Sequence, residues 1–109
     1  MYTYKFKLWL DKEGKVFGKG PYELLQGIEE TGSLMQSAKK LGMSYSQAHG
    51  LLKRIEEKLG FTLICSKAGG AQGGGSILTD EAKTLMAKYN AFYEEANEMI
   101  DMLYKKHFE

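Results

Sequence analysis

Three features of the sequence predict a mainly helical fold with a small β component (α+β). Residues 31–63 hold two short amphipathic helices separated by a tight Leu41-Gly42-Met43 turn. A strand pattern, a glycine-rich loop and a short returning strand follow directly. One long amphipathic helix closes the chain. A helix, a turn, a second helix and a hairpin, in that order, make a winged helix-turn-helix, whose second helix is shaped to lie in a DNA major groove. The expected division is residues 1–79 for the winged unit with an N-terminal β-hairpin and 80–109 for a C-terminal dimerisation helix.

The elements follow from residue spacing. Tyr4, Phe6, Leu8 and Leu10 alternate with Lys5, Lys7 and Trp9, which indicates a strand with one buried face. Asp11 to Gly14 is a turn signal, and Lys15-Val16-Phe17 returns as a second strand. Trp9 then points away from Leu8 and Leu10, toward a neighbouring element or a partner chain. Pro21 suits the first position of a helix that buries Leu24, Leu25 and Ile28 and ends near Gly32. Ser33 to Gln36 and Ser44 to Gln47 both fit the capping-box pattern, so each opens a helix. Leu34, Ala38 and Leu41 face inward from the first helix. Ala48, Leu51, Leu52, Ile55 and Leu59 form the apolar stripe of the second.

After Gly60, Phe61 to Ser66 reads as a strand, residues 68–75 as a loop with five glycines, and Ile77-Leu78 as the return. That hairpin sits where a wing belongs. Thr79 or Asp80 caps the last helix. Its inner positions, from Ala82 through Leu85, Tyr89, Phe92, Ala96, Met99 and Leu103, alternate spacings of three and four as a heptad seam does. Met86, Tyr93 and Ile100 widen the apolar face. At ~1.5 Å per residue this helix is about 40 Å long. A single small winged unit cannot cover such a face. Leu85, Tyr89, Phe92, Ala96, Met99 and Leu103 are therefore expected to form a homodimer interface.

Composition narrows the function. The chain of 109 residues carries a net charge of only +1, but unevenly: residues 33–76 hold +4 and residues 80–109 hold −3. The basic middle alone suits a polyanion. No apolar run is long enough to span a membrane, and the N-terminus lacks the continuous apolar core of a secretory signal. Cys65, the one cysteine, sits in the apolar run Phe61 to Cys65 and reads as a buried small residue. A cytoplasmic location fits these features. His49 and His107 have no metal-ligand partners at helical spacing, and no serine lies in a nucleophile-elbow pattern. The glycine loop lacks the lysine of a phosphate-binding P-loop. No enzyme activity, metal or cofactor is expected.

At 100° per residue, Ser46, Gly50, Lys53 and Glu57 fall opposite the apolar stripe, with Gln47 and Arg54 at one edge and His49 at the other. Gln47 can pair with adenine through both ends of its amide, and Ser46 can meet several bases. Gly50 permits close backbone approach. Lys53, Arg54 and Lys58 suit phosphates, which position the protein without reading sequence. Helix starts also hold phosphates, which brings in Ser33, Gln36, Ser44 and Tyr45. Lys67 and Gln72 are the expected wing contacts. Double-stranded DNA is the expected partner. The competing readings are a winged-helix protein–protein interaction module without DNA binding, with Trp9 and the long helix as its contact surface, and an oxyanion sensor built on the glycine loop or a dimer cleft.

The run Gly32-Ser33-Leu34 with Ala38-Lys39, Leu41 through Ala48, the glycines from Gly69 to Gly75, and Leu78-Thr79 closely resembles the DNA-binding domain of ModE, the molybdate-responsive bacterial transcription regulator. Leu41 to Leu63 is also similar to the winged helix of LysR-type regulators. The resemblance implies a winged helix, a homodimer joined through the long helix, and a palindromic operator. The molybdate-binding domains of that family follow the DNA-binding part, whereas this sequence ends at Glu109, so no bound molybdate is expected. His49 stands where ModE proteins often have an aromatic residue, and Gly50 where LysR-type proteins often have arginine.

Overall fold

Short strands and four helices follow one another as β1 (Leu10–Asp11), β2 (Lys15–Phe17), α1 (Lys19–Thr31), α2 (Leu34–Lys40), α3 (Tyr45–Leu59), β3 (Ile64–Ser66), β4 (Ser76–Leu78) and α4 (Asp80–Phe108). The computed structural model describes residues 1–66 and 75–109; the glycine-rich loop, with Lys67 and Gln72, lies outside the described residues. The strands form two separate antiparallel pairs, β1 with β2 and β3 with β4. In the second, Ile64, Cys65 and Ser66 face Leu78, Ile77 and Ser76.

The apolar stripes meet where their spacing sends them. Leu24, Leu25 and Ile28 of α1, Leu34 and Ala38 of α2, and Ala48, Leu52 and Ile55 of α3 close one core with Phe17, Leu63 and Leu78. α1 and α2 approach closely because Gly27 has no side chain: a Cβ there would overlap the Ser37 hydroxyl. That hydroxyl is buried and donates to the Leu24 carbonyl at 2.7 Å, which joins the two helices. Gly42, between α2 and α3, has φ 71°, and Gly60, after α3, has φ 84°. Glycine occupies this left-handed region without the Cβ clash that opposes other residues. The Gly60 N–H closes α3 by donating to the Glu56 carbonyl at 2.8 Å.

Several expectations change. Leu41, expected to face inward, is the C-cap of α2 and is exposed, because the chain turns out of the helix there. α1 begins at Lys19 with Gly18 as its N-cap, so Pro21 is its third residue, not its first. A first-turn N–H has no intrahelical partner, and proline is tolerated there for that reason. The N-terminal hairpin is shorter than the alternation implied, since only Leu10–Asp11 pairs with β2. The preceding residues form an extended arm along α4. Phe6 stacks on Tyr93 at 5.6 Å, Tyr4 packs on Tyr104 at 5.0 Å, and Tyr2 sets its edge to Phe108 at 5.7 Å. The Tyr89 hydroxyl donates to the Leu8 carbonyl at 2.8 Å. The period of two is therefore real, but a helix covers the inner face. Cys65 is exposed, not buried. Leu78 and Ile64 turn the other face of the wing to the core, while Cys65 lies opposite Ile77, itself 50% exposed. Finally, residue 79 is not a clean boundary, because Ala82, Met86 and Tyr89 of α4 complete the core of the winged unit.

Tyr93 still packs against the core, and beyond it, among the described residues, α4 runs on with the arm beside it. The molecule is accordingly long, 59 × 27 × 21 Å. Among the described residues, no helix is long and apolar enough to cross a membrane.

Candidate nucleic-acid interface

α3 is held by its buried stripe, and the polar residues opposite are left in solvent. Ser46, Gln47, His49, Lys53 and Arg54 are exposed and Gly50 is half-buried. The N-terminus of α3 carries the full capping box. The Gln47 N–H donates to Ser44 Oγ at 3.1 Å, and the Ser44 N–H donates to Gln47 Oε1 at 3.0 Å. This arrangement qualifies the expected adenine contact. The amide oxygen of Gln47 is engaged within the helix start, while its NH₂ group remains to donate to a base acceptor. Ser33 caps α2 through its side chain, accepting from the Gln36 N–H at 3.1 Å. Ser33 and Ser44 thus satisfy orphan N–H groups internally, and Gln36 is exposed at the start of α2.

The remaining side chains group into pairs. Tyr45 stacks on His49 with ring centroids 5.7 Å apart, so the two present one flat surface at the start of α3. A Cβ at Gly50 would meet only Arg54 Nη1, at 3.3 Å, so the guanidinium folds back over the glycine. Lys53 Nζ lies 3.5 Å from Glu56 Oε1. Lys58 is turned aside: its Nζ donates to the Glu13 carbonyl at 3.1 Å, in the turn between β1 and β2.

Sequence reasoning missed Glu56. It is buried, and its Oε2 accepts from the Leu63 N–H at 2.7 Å and the Ile64 N–H at 3.4 Å. It therefore ties the first strand of the wing to α3. Its spacing of four from Leu52 already placed it at the edge of the buried stripe. Lys58 on one flank and Glu56 on the other fix a hairpin on each side of α3. The β4 end of the wing is held separately, where the Ser76 N–H donates to the Gly32 carbonyl at 2.9 Å.

The seam residues of α4 separate into two groups. Phe92, Met99 and Leu103 are 50%, 64% and 52% exposed. Tyr89 is only 4% exposed and packs against its own chain, while Leu85 is half-buried beside the core. Ala96 lies between the exposed members and is half-buried. Among the described residues, no group of His, Cys, Asp and Glu side chains could hold a metal ion.

Residues 22–83 match the bacterial regulatory helix-turn-helix proteins of the lysR family. The chain is similar to the molybdenum transport protein ModE of Azotobacter vinelandii, with 35% identity over 80 residues, 73% of this chain and 30% of that protein. It is also similar to the DNA-binding transcriptional dual regulator ModE of Escherichia coli (strain K12), 30% identical over 73% of this chain and 30% of that one. The chain thus spans about 30% of the length of these curated relatives. Among solved structures, the CbnR DNA-binding domain in its DNA complex aligns with a TM-score of 0.61 and 18% identity, covering 80% of this chain and 94% of that one. The BenM DNA-binding domain with benA site 1 DNA gives a TM-score of 0.59 and 17% identity over 82% of this chain and 94% of that one. These likenesses carry the winged-helix fold, and the match over residues 22–83 carries the family: the chain belongs to the bacterial regulatory helix-turn-helix proteins of the lysR family.

Proposed function

We propose that this protein is a sequence-specific, ModE-like regulator of transcription. In this reading it is cytoplasmic and binds double-stranded DNA as a homodimer. The observation that carries the proposal is the exposed face of α3. A buried stripe on one side leaves Ser46, Gln47, Gly50 and Lys53 together in solvent on the other. Hydroxyl and amide groups at the N-terminal end serve base edges, and Lys53 and Arg54 serve phosphates. The Tyr45–His49 pair flanks them, and Gln36 at the start of α2 meets the adjoining backbone. Ser33 and Ser44 set the two helix starts through their caps. Lys67 and Gln72 extend the contact from the wing.

The dimer in this proposal forms along Phe92, Ala96, Met99 and Leu103, with Leu85 at the edge of the seam. Tyr89 serves its own domain instead. Two recognition helices related by a two-fold axis meet half-sites about 34 Å apart. Gel-shift titration against a random duplex and a duplex selected from random DNA, at two salt concentrations, tests the reading. The expected result is salt-dependent binding with a clear preference for the selected sequence. An interaction module would show no salt-dependent DNA binding, and that result would overturn the proposal.

A further inference from the structure

Glu56 serves two partners with its two oxygens. Oε2 accepts the Leu63 N–H at 2.7 Å and the Ile64 N–H at 3.4 Å, at the base of the wing. Oε1 lies 3.5 Å from Lys53 Nζ. The carboxylate side chain is 8% exposed and that of Lys53 is 58% exposed. Anchoring two backbone N–H groups needs an acceptor, not a charge, and a neutral amide oxygen would serve. Burying a charge is unfavourable unless it is paired. Among the described residues Lys53 is the cation paired with it, and Lys53 stands on the face of α3 that the polar residues share.

We propose that Glu56 restrains Lys53, so that the carboxylate anchoring the wing also holds this lysine back from the nucleic-acid backbone. The proposal rests on reading Lys53 as a phosphate contact. With the lysine end of the pair more than half exposed, the attraction is screened, and a phosphate can displace the carboxylate. Each encounter must nevertheless exchange one anion for another at Lys53. This restraint acts equally on every DNA sequence. It lowers sequence-independent affinity and leaves base readout by Ser46 and Gln47 untouched. Glu56 is thus a positioning residue for both wing and lysine.

Glu56→Gln separates the two roles, since the amide oxygen still accepts from Leu63 while the charge is gone. Binding to a random duplex is measured by fluorescence anisotropy across a salt series. The variant should bind about two- to fivefold more tightly at low salt. Its log–log salt dependence should steepen by up to about one phosphate's worth. In a Lys53→Ala background the same substitution should produce no gain. A gain that persists without Lys53, or weaker binding by Glu56→Gln to all duplexes, would overturn the restraint. If Lys53→Ala alone leaves the salt dependence unchanged, the phosphate reading of Lys53 fails and the restraint falls with it. Should Glu56→Gln fail to fold, the wild-type protein still decides. The Lys53 ammonium resonances should shift when random duplex is added, as phosphate replaces carboxylate, and unmoved resonances would refute the idea.

Discussion

Gly50 sets the two demands on α3 against each other. In mid-helix, glycine is about 1 kcal/mol less favourable than alanine. A Cβ at this position would touch only the mobile end of Arg54, 3.3 Å away, so the free protein has room for it. Gly50→Ala should therefore raise the melting temperature by about 4–8 °C. If the backbone approaches DNA here, the same methyl must be forced into a packed contact, at about 1–3 kcal/mol. Operator affinity should then fall about tenfold or more while stability rises. Equal or better binding by the stabilised variant would show that Gly50 does not face the groove. Gln47 makes a different prediction, because its amide oxygen closes the capping box and its NH₂ group is left to donate. Gln47→Ala should relax preference at one base pair by about 0.5–1.5 kcal/mol, the worth of a single hydrogen bond, read by selection on random DNA. The capping loss is shared by all sequences, so a uniform drop without relaxed preference would make Gln47 a structural residue only.

Among elements, the N-terminal arm shows both the reach and the limit of sequence patterns. The period of two placed Tyr4, Phe6, Leu8 and Leu10 on one side, and all four are half-buried there. The pattern could not name the covering element, because a half-buried extended chain alternates in the same way against a sheet or a helix. α3 was more legible, since the helical spacing of its stripe alone decides which face is wet. The ties that fix the wing and the first hairpin to α3, through Glu56 and Lys58, join residues remote from any local motif and left little trace in the sequence. The arm also brings a pH dependence. The Tyr4 hydroxyl donates to Asp101 Oδ1 at 3.2 Å, and Lys105 Nζ lies 3.1 Å from Asp101 Oδ2. The hydrogen bond from Lys105, and secondarily that from Tyr4, hold the Asp101 carboxyl below its ordinary value. A carboxyl lowered by folding stabilises the structure above its unfolded pKa, and that contribution is lost as pH falls through the folded one. The arm should accordingly loosen from α4 under acid conditions, as pH falls below the ordinary aspartate range. Amide exchange and tyrosine resonances of residues 2–8 would report it. Asp101→Asn should abolish the acid step, and an unchanged step in that variant would assign it elsewhere.

At the scale of the whole molecule, α4 divides its faces between two uses. The line through Ala82, Met86 and Tyr89 completes the core, and Tyr93 and Tyr104 meet the arm. The line through Phe92, Met99 and Leu103 is left exposed. Heptad spacing in the sequence ran through both Tyr89 and Phe92, because a seam read by spacing alone does not reveal where a helix leaves its own domain. In the proposed homodimer this exposed apolar row on the projecting helix is the partner surface. In a homodimer the row meets its own copy, which makes each recognition helix raise the effective concentration of the other at a palindromic site. Met99→Glu would place a charge in the middle of that row without touching the core or the arm. The variant should melt as an intact winged unit but sediment as a monomer at concentrations where the wild type is a dimer. Linkage of two sites is worth about 10²–10⁴ in apparent affinity. Binding to a full palindrome should therefore fall by about a hundredfold or more, while binding to an isolated half-site stays as it was. A Met99→Glu protein that still sediments as a dimer would move the interface off this face of α4. A monomer that keeps full palindrome affinity would show that DNA binding does not depend on pairing through α4 at all.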